Sequence, residues 1–446
     1  MLASAPSPTV DLDALLVDDP ARGAFQVRKD VFTDPGVFDL ELTRIFEGTW
    51  VFLGLTSQAP KPNDFFTFTI GRQPVIVIRG ADNTFRCFYN SCRHRGALRC
   101  PLARGNAASQ ICRYHGWSYD TTGKNIGITG QRDGCYPESF AEANTDLIPV
   151  ARFDEYRGFL FASLNPDVPS LDEHLGGARR FLDTIADQGP DGIAFVPGEV
   201  RYTVDANWKV SVENVLDSYH FASTHRSYSQ IIEERKNNGR ATATKLLEDE
   251  PLHRGTFLFD RGHSVLWRNR NSGTGTRPLL LEPGRLEATR ARIGELRTKW
   301  ILMSRSILIY PNLQIVDISS IQFRVIQPLD PGRTEITSYC AVPIGESSTA
   351  LRTLIREYQD FFNPSGFASA DDNVMFERSQ VGYAANPSDE LFGYLRGMAA
   401  DHSIASAYAA EVGVPAERAV EGPLGMGDES AIVSSYREWY RLLRAG

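Results

Sequence analysis

The chain has 446 residues, 42% of them apolar, with 25 Phe, 16 Tyr and 6 Trp. That length exceeds one ordinary hydrophobic core and fits two domains, and the composition excludes a disordered or fibrous chain. The formal charge of −8 favours solubility and excludes nucleic-acid binding by the chain as a whole. Asp11 and Asp13 stand where a signal peptide needs a basic start and an apolar run. No stretch approaches the roughly 18 apolar residues of a membrane helix. The expectation is a cytoplasmic protein with neither a nucleic-acid nor a membrane partner.

Residues 1 to about 40 read as a leader with short helical pieces, expected to pack on the larger domain, and the run from Glu41 to Trp50 reads as a helix. Strand-like stretches follow at 65–70, 74–78 and 84–89, with the turn Gly80-Ala81-Asp82-Asn83 before the last of them. Another strand is predicted at 158–162, and residues 165–169 read as a linker. These elements predict a small β domain over 41–165. Beyond it, strands at 306–310, 321–326 and 335–339 and a helix at 348–363 predict an α+β domain with an antiparallel sheet over 166–446.

Six cysteines lie at 87, 92, 100, 112, 135 and 340, five of them before residue 136. In a large chain without secretion signals, clustered cysteines point to metal or redox chemistry rather than disulfides. Cys92-Arg93-His94 and Cys112-Arg113-Tyr114-His115 supply two Cys-plus-His pairs. Such a set suits one tetrahedral zinc or a Rieske [2Fe–2S] centre, in which one iron takes two Cys and the other two His. Gly96 and Gly116 follow the pairs, where bare backbone can turn and offer N–H groups to sulphur, and Trp117 can exclude water; these favour the cluster. Cys87, Cys100, Cys135 and Cys340 read as small buried residues. Six arginines (86, 93, 95, 99, 104, 113) and no acid lie between Asp82 and Asp120, which reads as a docking face for an acidic electron donor in preference to a plain solvated surface.

The run 207–220 has helical character, and in a continuous helix Glu213, Asp217 and His220 share one face. His225 follows five residues after His220, about 140° further round. Both imidazoles reach one metal only if the helix ends or bulges between them, which 221–224 allow. Two His and a carboxylate form the facial triad of a non-haem Fe(II) oxygenase. The acid candidates are Asp371 and Asp372, and adjacent acids are also common in a helix's first turn.

Together these residues resemble one family. Cys-x-His-Arg-Gly, Cys-x-Tyr-His-Gly-Trp, Asn-Trp-Lys, Glu-Asn, Asp-x-Tyr-His-x4-His and Asp-Asp-Asn occur in the order seen in the large (α) subunits of Rieske aromatic-ring-hydroxylating dioxygenases. The chain looks most like the benzoate, toluate and anthranilate group, on Ile70-Gly71-Arg72-Gln73-Pro74, Gly262-His263-Ser264-Val265-Leu266, Gly345-Glu346-Ser347-Ser348 and 360–366. The resemblance implies an all-β Rieske domain and a larger helix-grip, START-like catalytic domain. It implies Cys92, His94, Cys112 and His115 as cluster ligands and His220, His225 and Asp372 as ligands of a mononuclear Fe(II). It makes Asp217 the bridge from His220 to His115 of a neighbouring subunit in a ring of three α subunits, often with three small β subunits. It implies electrons coming ultimately from NAD(P)H through a reductase or ferredoxin, and a cis-dihydrodiol or catechol formed from O2 and a benzoate-, anthranilate- or aniline-like ring. Monohydroxylation of the salicylate type, dealkylation, and an electron-transfer-only Rieske protein are the alternatives. Asn214 is a candidate polar group near the iron, and Val215, Phe221, Phe362 and Ala368 are pocket-wall candidates by position. Relatives usually carry Gly where Ser218 stands, and some dioxygenases for larger rings carry a bulky aromatic where Ala368 stands.

Overall fold

The computed structural model describes residues 10–238, 252–269, 277–318, 320–385, 390–391, 393–397, 407–415, 418–421 and 425–445. The chain divides into two compact units, Phe46–Leu171 and the union of Met1–Ile45 with Asp172–Gly446.

In the larger unit the N-terminal region forms a hairpin of β1 (Leu16–Asp19) and β2 (Ala24–Arg28), then the short helices α1 (Asp30–Thr33) and α2 (Pro35–Glu41). Short helical pieces alone were expected here. The hairpin arises because Phe25 and Val27 alternate with polar neighbours and are fully buried, a period of two that a helix cannot satisfy. A π-helical turn at Leu42–Phe46 continues α2.

The smaller unit is built from β3 (Val51–Leu55), β4 (Asp64–Ile70), β5 (Gln73–Arg79), β6 (Phe85–Tyr89), β7 (Arg104–Asn106), β8 (Ser109–Ile111), β9 (Ser118–Asp120), β10 (Asn125–Gly127), β11 (Arg152–Tyr156) and β12 (Phe159–Ser163). They form three antiparallel sheets in the orders β6-β5-β4-β7, β10-β9-β8 and β11-β12-β3. The β4–β5 turn places Gly71 at φ +56°, where a Cβ would also run into Glu47, so glycine is required there. Glu47 accepts hydrogen bonds from the Arg72 backbone and side chain at 2.9–3.0 Å and pins the turn.

The larger unit continues with α3 (Leu171–Leu175), α4 (Arg179–Ala186), β13 (Ile193–Phe195), β14 (Val200–Val204), α5 (Trp208–Val215), α6 (Phe221–Thr224) and α7 (Arg226–Asn237). Next come β15 (Arg254–Leu258), β16 (Ser264–Arg268), α8 (Arg285–Ile293), α9 (Glu295–Leu302), β17 (Ser304–Ile309), β18 (Leu313–Asp317), β19 (Ile321–Asp330) and β20 (Arg333–Pro343). Last are α10 (Ser348–Phe361), α11 (Ser369–Ala385), β21 (Glu390–Leu391), α12 (Ala407–Val412), β22 (Ala419–Glu421) and α13 (Ser430–Arg444). Nine described strands make one antiparallel sheet, β13-β20-β19-β18-β17-β16-β15-β22 with β14 also on β20. Helix α5 lies against β17, β18 and β19, and α11 against α5, α6 and β14. The molecule is therefore α+β, with helices gathered on an antiparallel sheet. Among the described residues, no helix is long and apolar enough to cross a membrane.

Candidate metal centres and ring cavity

In the smaller unit the two Cys-plus-His pairs occupy two loops of the same design. Gly96 N–H donates to Cys92 O and Gly116 N–H to Cys112 O, each at 2.9 Å, and Cys92 and Cys112 N–H return to Ala97 and Trp117 carbonyls. Both glycines have positive φ, +69° and +76°, and a Cβ on Gly116 would collide with Thr129 Oγ1. The loops bring the His94 and His115 rings to 4.4 Å between centroids, while Cys92 and Cys112 are buried. Trp117 stacks on His94 at 4.9 Å, and the Tyr119 hydroxyl lies 3.5 Å from Cys92 Sγ. His94 Nδ1 is buried with no hydrogen-bond partner, an orphan that a metal ligand explains. Two buried thiols and two converging imidazoles are the donor set a Rieske cluster requires.

The other cysteines divide. Cys87, Cys100 and Cys340 are buried, and burial pushes the Cys340 thiol up to about 12. Cys135 is exposed, contrary to the expectation of a small buried residue, because it sits in an irregular stretch where nothing packs over it. The basic run also needs correction. Arg99 is turned inward onto Gln110, and Arg86 pairs with Asp82 at 2.7 Å, so four of the six arginines, 93, 95, 104 and 113, are exposed.

In the larger unit, α5 starts at Asn207, whose side chain accepts from Lys209 N–H at 3.0 Å while its amide donates to Pro331 O at 2.7 Å. The helix stops at Val215, five residues short of the predicted end. Leu216 leaves helical geometry, Asp217 Oδ1 accepts from Tyr219 N–H at 2.5 Å, and Ser218 N–H donates to Met426 O. That Asp-to-backbone bond gives the chain an alternative to the helical ladder. Glu213, Asp217 and His220 consequently share no helical face. Glu213 points elsewhere, accepting from the Tyr394 and Tyr436 hydroxyls at 2.9 and 2.5 Å, and burial pushes its carboxyl up to about 7.

His220 begins α6 and His225 closes it with φ −102°, ψ 35°. The breaks therefore lie at 216–219 and at His225, not within 221–224, which form one helical turn. The two rings approach to 5.3 Å between centroids. Asp372, in the first turn of α11, places Oδ1 3.1 Å from His225 Nε2 and 3.5 Å from His220 Nε2. Asp371 reaches only 3.7 Å from His225 Nδ1 with a side chain 39% exposed, against 11% for Asp372. One ligand atom from each of His220, His225 and Asp372 lies within 4.8 Å of the others.

Three groups orient this trio. Asp217 Oδ2 lies 3.3 Å from His220 Nδ1 and leaves Nε2 for the centre. Asn214 Nδ2 sits 3.1 Å from Asp372 Oδ1 and 3.3 Å from His220 Nε2. The Arg324 guanidinium contacts Asn214 Oδ1 at 3.4–3.5 Å. Burial opposes charge on His220 and on Asp372, but Asp217 and Asp372 raise the imidazole and the two histidines with Arg324 lower the carboxyl. Two imidazole nitrogens and one carboxylate oxygen on a single side of a centre fit a non-haem Fe(II) with open positions.

A cavity of about 350 Å³ opens beside the trio. Val215, Phe221 and Phe362 line it, as do Asn214, Asp217 and Ser218. Ala368 does not; it is buried, with its N–H on Phe361 O, because the extended Phe362 and the turn at Asn363 (φ 73°) pull it behind the wall. Sequence reasoning missed Arg254, Arg268, Gln322 and Arg324, all of which reach the cavity. A signal existed for the last two, since Gln322 and Arg324 are polar residues two apart in the otherwise apolar run 321–326.

The comparisons agree with this geometry. The family model for the ring-hydroxylating α subunit (catalytic domain) matches residues 195–441, and that for the Rieske [2Fe-2S] domain matches 49–141. The chain is 38% identical over 385 residues to the toluate 1,2-dioxygenase α subunit of Pseudomonas putida, covering 85% of this chain and 84% of that one. It is 39% identical over 370 residues to the 2-halobenzoate 1,2-dioxygenase large subunit of Burkholderia cepacia, covering 82% and 79%. Among solved structures, naphthalene 1,2-dioxygenase with indole bound in the active site superposes with a TM-score of 0.80 at 26% identity, covering 96% and 94%. This chain belongs to the ring-hydroxylating α-subunit family of Rieske oxygenases. It is the dioxygenase-type oxidoreductase subunit of that family, which carries a Rieske [2Fe–2S] cluster and a mononuclear non-haem iron and takes electrons from a reductase partner.

Proposed function

We propose that this subunit dihydroxylates a small monocyclic aromatic ring of benzoate, anthranilate or aniline type. The observation that carries the reading is the trio His220, His225 and Asp372 set on the wall of a 350 Å³ cavity, room for one substituted ring and little more. The toluate and 2-halobenzoate relatives support the same ring size.

In this reading Cys92, Cys112, His94 and His115 hold the cluster, and His220, His225 and Asp372 hold the iron. The iron, when bound, supplies a site at which O2 is activated with electrons passed on by the cluster. The chain's own residues do the rest. Val215, Phe221 and Phe362 exclude water and hold the ring edge toward the trio. Asn214 fixes the Asp372 carboxylate through its amide, and Asp217 fixes the His220 tautomer. Asp217 is partly exposed beside the exposed Tyr219, where a second copy of the chain can approach. That supports a trimer of α subunits, with or without small β subunits, in which Asp217 receives electrons from a neighbour's cluster. Electron supply from NAD(P)H supports a cytoplasmic setting. The expected limits 41–165 and 166–446, with 1–40 packed on the latter, are proposed with the boundaries of the two compact units, Phe46–Leu171 and Met1–Ile45 joined to Asp172–Gly446.

The test is a single turnover of the chemically reduced protein with O2 and, separately, benzoate, anthranilate, salicylate and aniline. A dihydrodiol or catechol from one of them is expected. Absence of product and of cluster reoxidation with every ring, at full iron content, would overturn the proposal.

A further inference from the structure

The floor of the cavity is the sheet face turned toward α5. Leu266, Ser306, Val316 and Gln322 form one cross-strand row on that face, and all four line the cavity. Two residues further along their strands, in opposite directions, stand Arg324 on β19 and Arg268 on β16, the latter opposite Arg254. Three strand spacings and four residues separate them, roughly 14 Å across the strands and roughly 13 Å along them. The floor thus has two cationic corners on a diagonal.

The corners differ in what they touch. Arg324 is engaged with Asn214 beside Asp372. Arg268 Nε is buried without a hydrogen-bond partner, and among the described residues no carboxylate forms an ion pair with it. The neighbouring charge is another guanidinium, Arg254, directly opposite in register, and like charges so placed repel. Burial first, and Arg254 second, pull Arg268 down to about 10, still a cation at neutral pH. A buried guanidinium facing a cavity, with no counter-charge among the described residues, is costly unless a ligand brings the anion.

We infer that Arg268 holds a carboxylate on the aromatic substrate, at the corner diagonal to Arg324, and so selects aromatic acids over neutral rings and amines. The planar fork of a guanidinium matches a carboxylate through two parallel hydrogen bonds, which an ammonium cannot reproduce. This assignment rests on the oxygenase reading of the cavity and narrows its substrate class. Sequence alone could not supply it, because the arginines become neighbours only through strand pairing.

The experiment compares the cofactor-loaded wild type with Arg268→Gln, Arg268→Lys and Arg254→Gln. Binding of benzoate and of its neutral isostere benzamide is measured by calorimetry, and product by single turnover. Arg268→Gln is expected to weaken benzoate binding about 10–100-fold, to leave benzamide binding within about threefold, and to be only partly rescued by Lys. Arg254→Gln, at the exposed rim, is expected to have the smaller effect. Unchanged benzoate affinity in Arg268→Gln would overturn the assignment, whether or not its melting temperature falls, as would a larger loss at Arg254 or a parallel loss of benzamide. Should wild type bind benzoate through Arg268 yet form no product from any ring, the oxygenase reading fails while the carboxylate site stands.

Discussion

The two carboxylate oxygens of Asp217 do separate work: one ends α5 on Tyr219 N–H, the other holds His220 Nδ1. Asp217→Ala is expected to keep cluster absorbance and most of the iron while product in a single turnover falls by roughly 10–100-fold or more. Near-normal product would remove Asp217 from the electron route. Glu213 gives a second residue-scale expectation. Burial raises its carboxyl from 4.5 to about 7, so the folded state holds a proton that the unfolded state has already released. Its stabilising contribution is therefore present below about pH 4.5 and is lost as pH rises to about 7, on the order of 3 kcal/mol. The denaturation midpoint of wild type should fall across that window, and that of Glu213→Gln should fall less; equal slopes would contradict the assignment. At this scale the residues that converge as possible donors, His220, His225 and Asp372, were already candidates by type and spacing. Glu213 was misplaced, because its tyrosine partners at 394 and 436 lie nearly two hundred residues or more away. The choice between Asp371 and Asp372 came on residue physics only with coordinates, since both occupy one helix turn.

Between residues and the whole stand a few elements that fix the site. Glu41, at the end of α2, is fully buried and accepts from Lys209 Nζ at 2.5 Å and Trp208 Nε1 at 2.8 Å on α5, and from Trp439 Nε1 at 2.7 Å on α13. Removing one member leaves a buried ammonium without its counter-charge, so Glu41→Ala should destabilise the larger unit by about 3–5 kcal/mol. A shift in denaturant midpoint corresponding to less than about 1 kcal/mol would show that water or rearrangement replaces the carboxylate. Whereas β3 and the short strands β7 to β11 of the smaller unit were not read, its strands β4, β5, β6 and β12 were readable from alternation and turn residues, and α10 was expected. The end of α5 was not, because Asp217 competes with the helix through a bond that propensity does not register. The β1–β2 hairpin escaped too. Its partner β21 lies over 350 residues away, and short strands gain their stability from such pairing.

At the scale of the molecule, each unit has a buried core of its own, and Cys92 and Cys112, the proposed thiolate ligands, sit in that of the smaller one. Cys112→Ala is expected to abolish the visible absorbance of the cluster while mononuclear iron and the far-ultraviolet signature of the larger unit persist. Loss of both metals together would mean that the units depend on one another for folding. The family was legible from ordered motifs spread over most of the chain, whereas the cavity's cationic wall was not, since it exists only in strand register.

The shared carboxylate of Glu41 also fixes an order of events during synthesis. Residues 46–171 form a compact unit of their own and can fold while the chain is still growing. The segment before them must wait. Asp18, Glu41 and Arg44 find Arg437, Trp439 and the Leu443 carbonyl only in α13, about four hundred residues further along the chain. Assembly of the catalytic half is therefore a ring closure, in which the segment before residue 46 docks only once α13 is available. Until then its apolar side chains, Phe25 and Phe32 among them, lack the core that buries them in the folded unit.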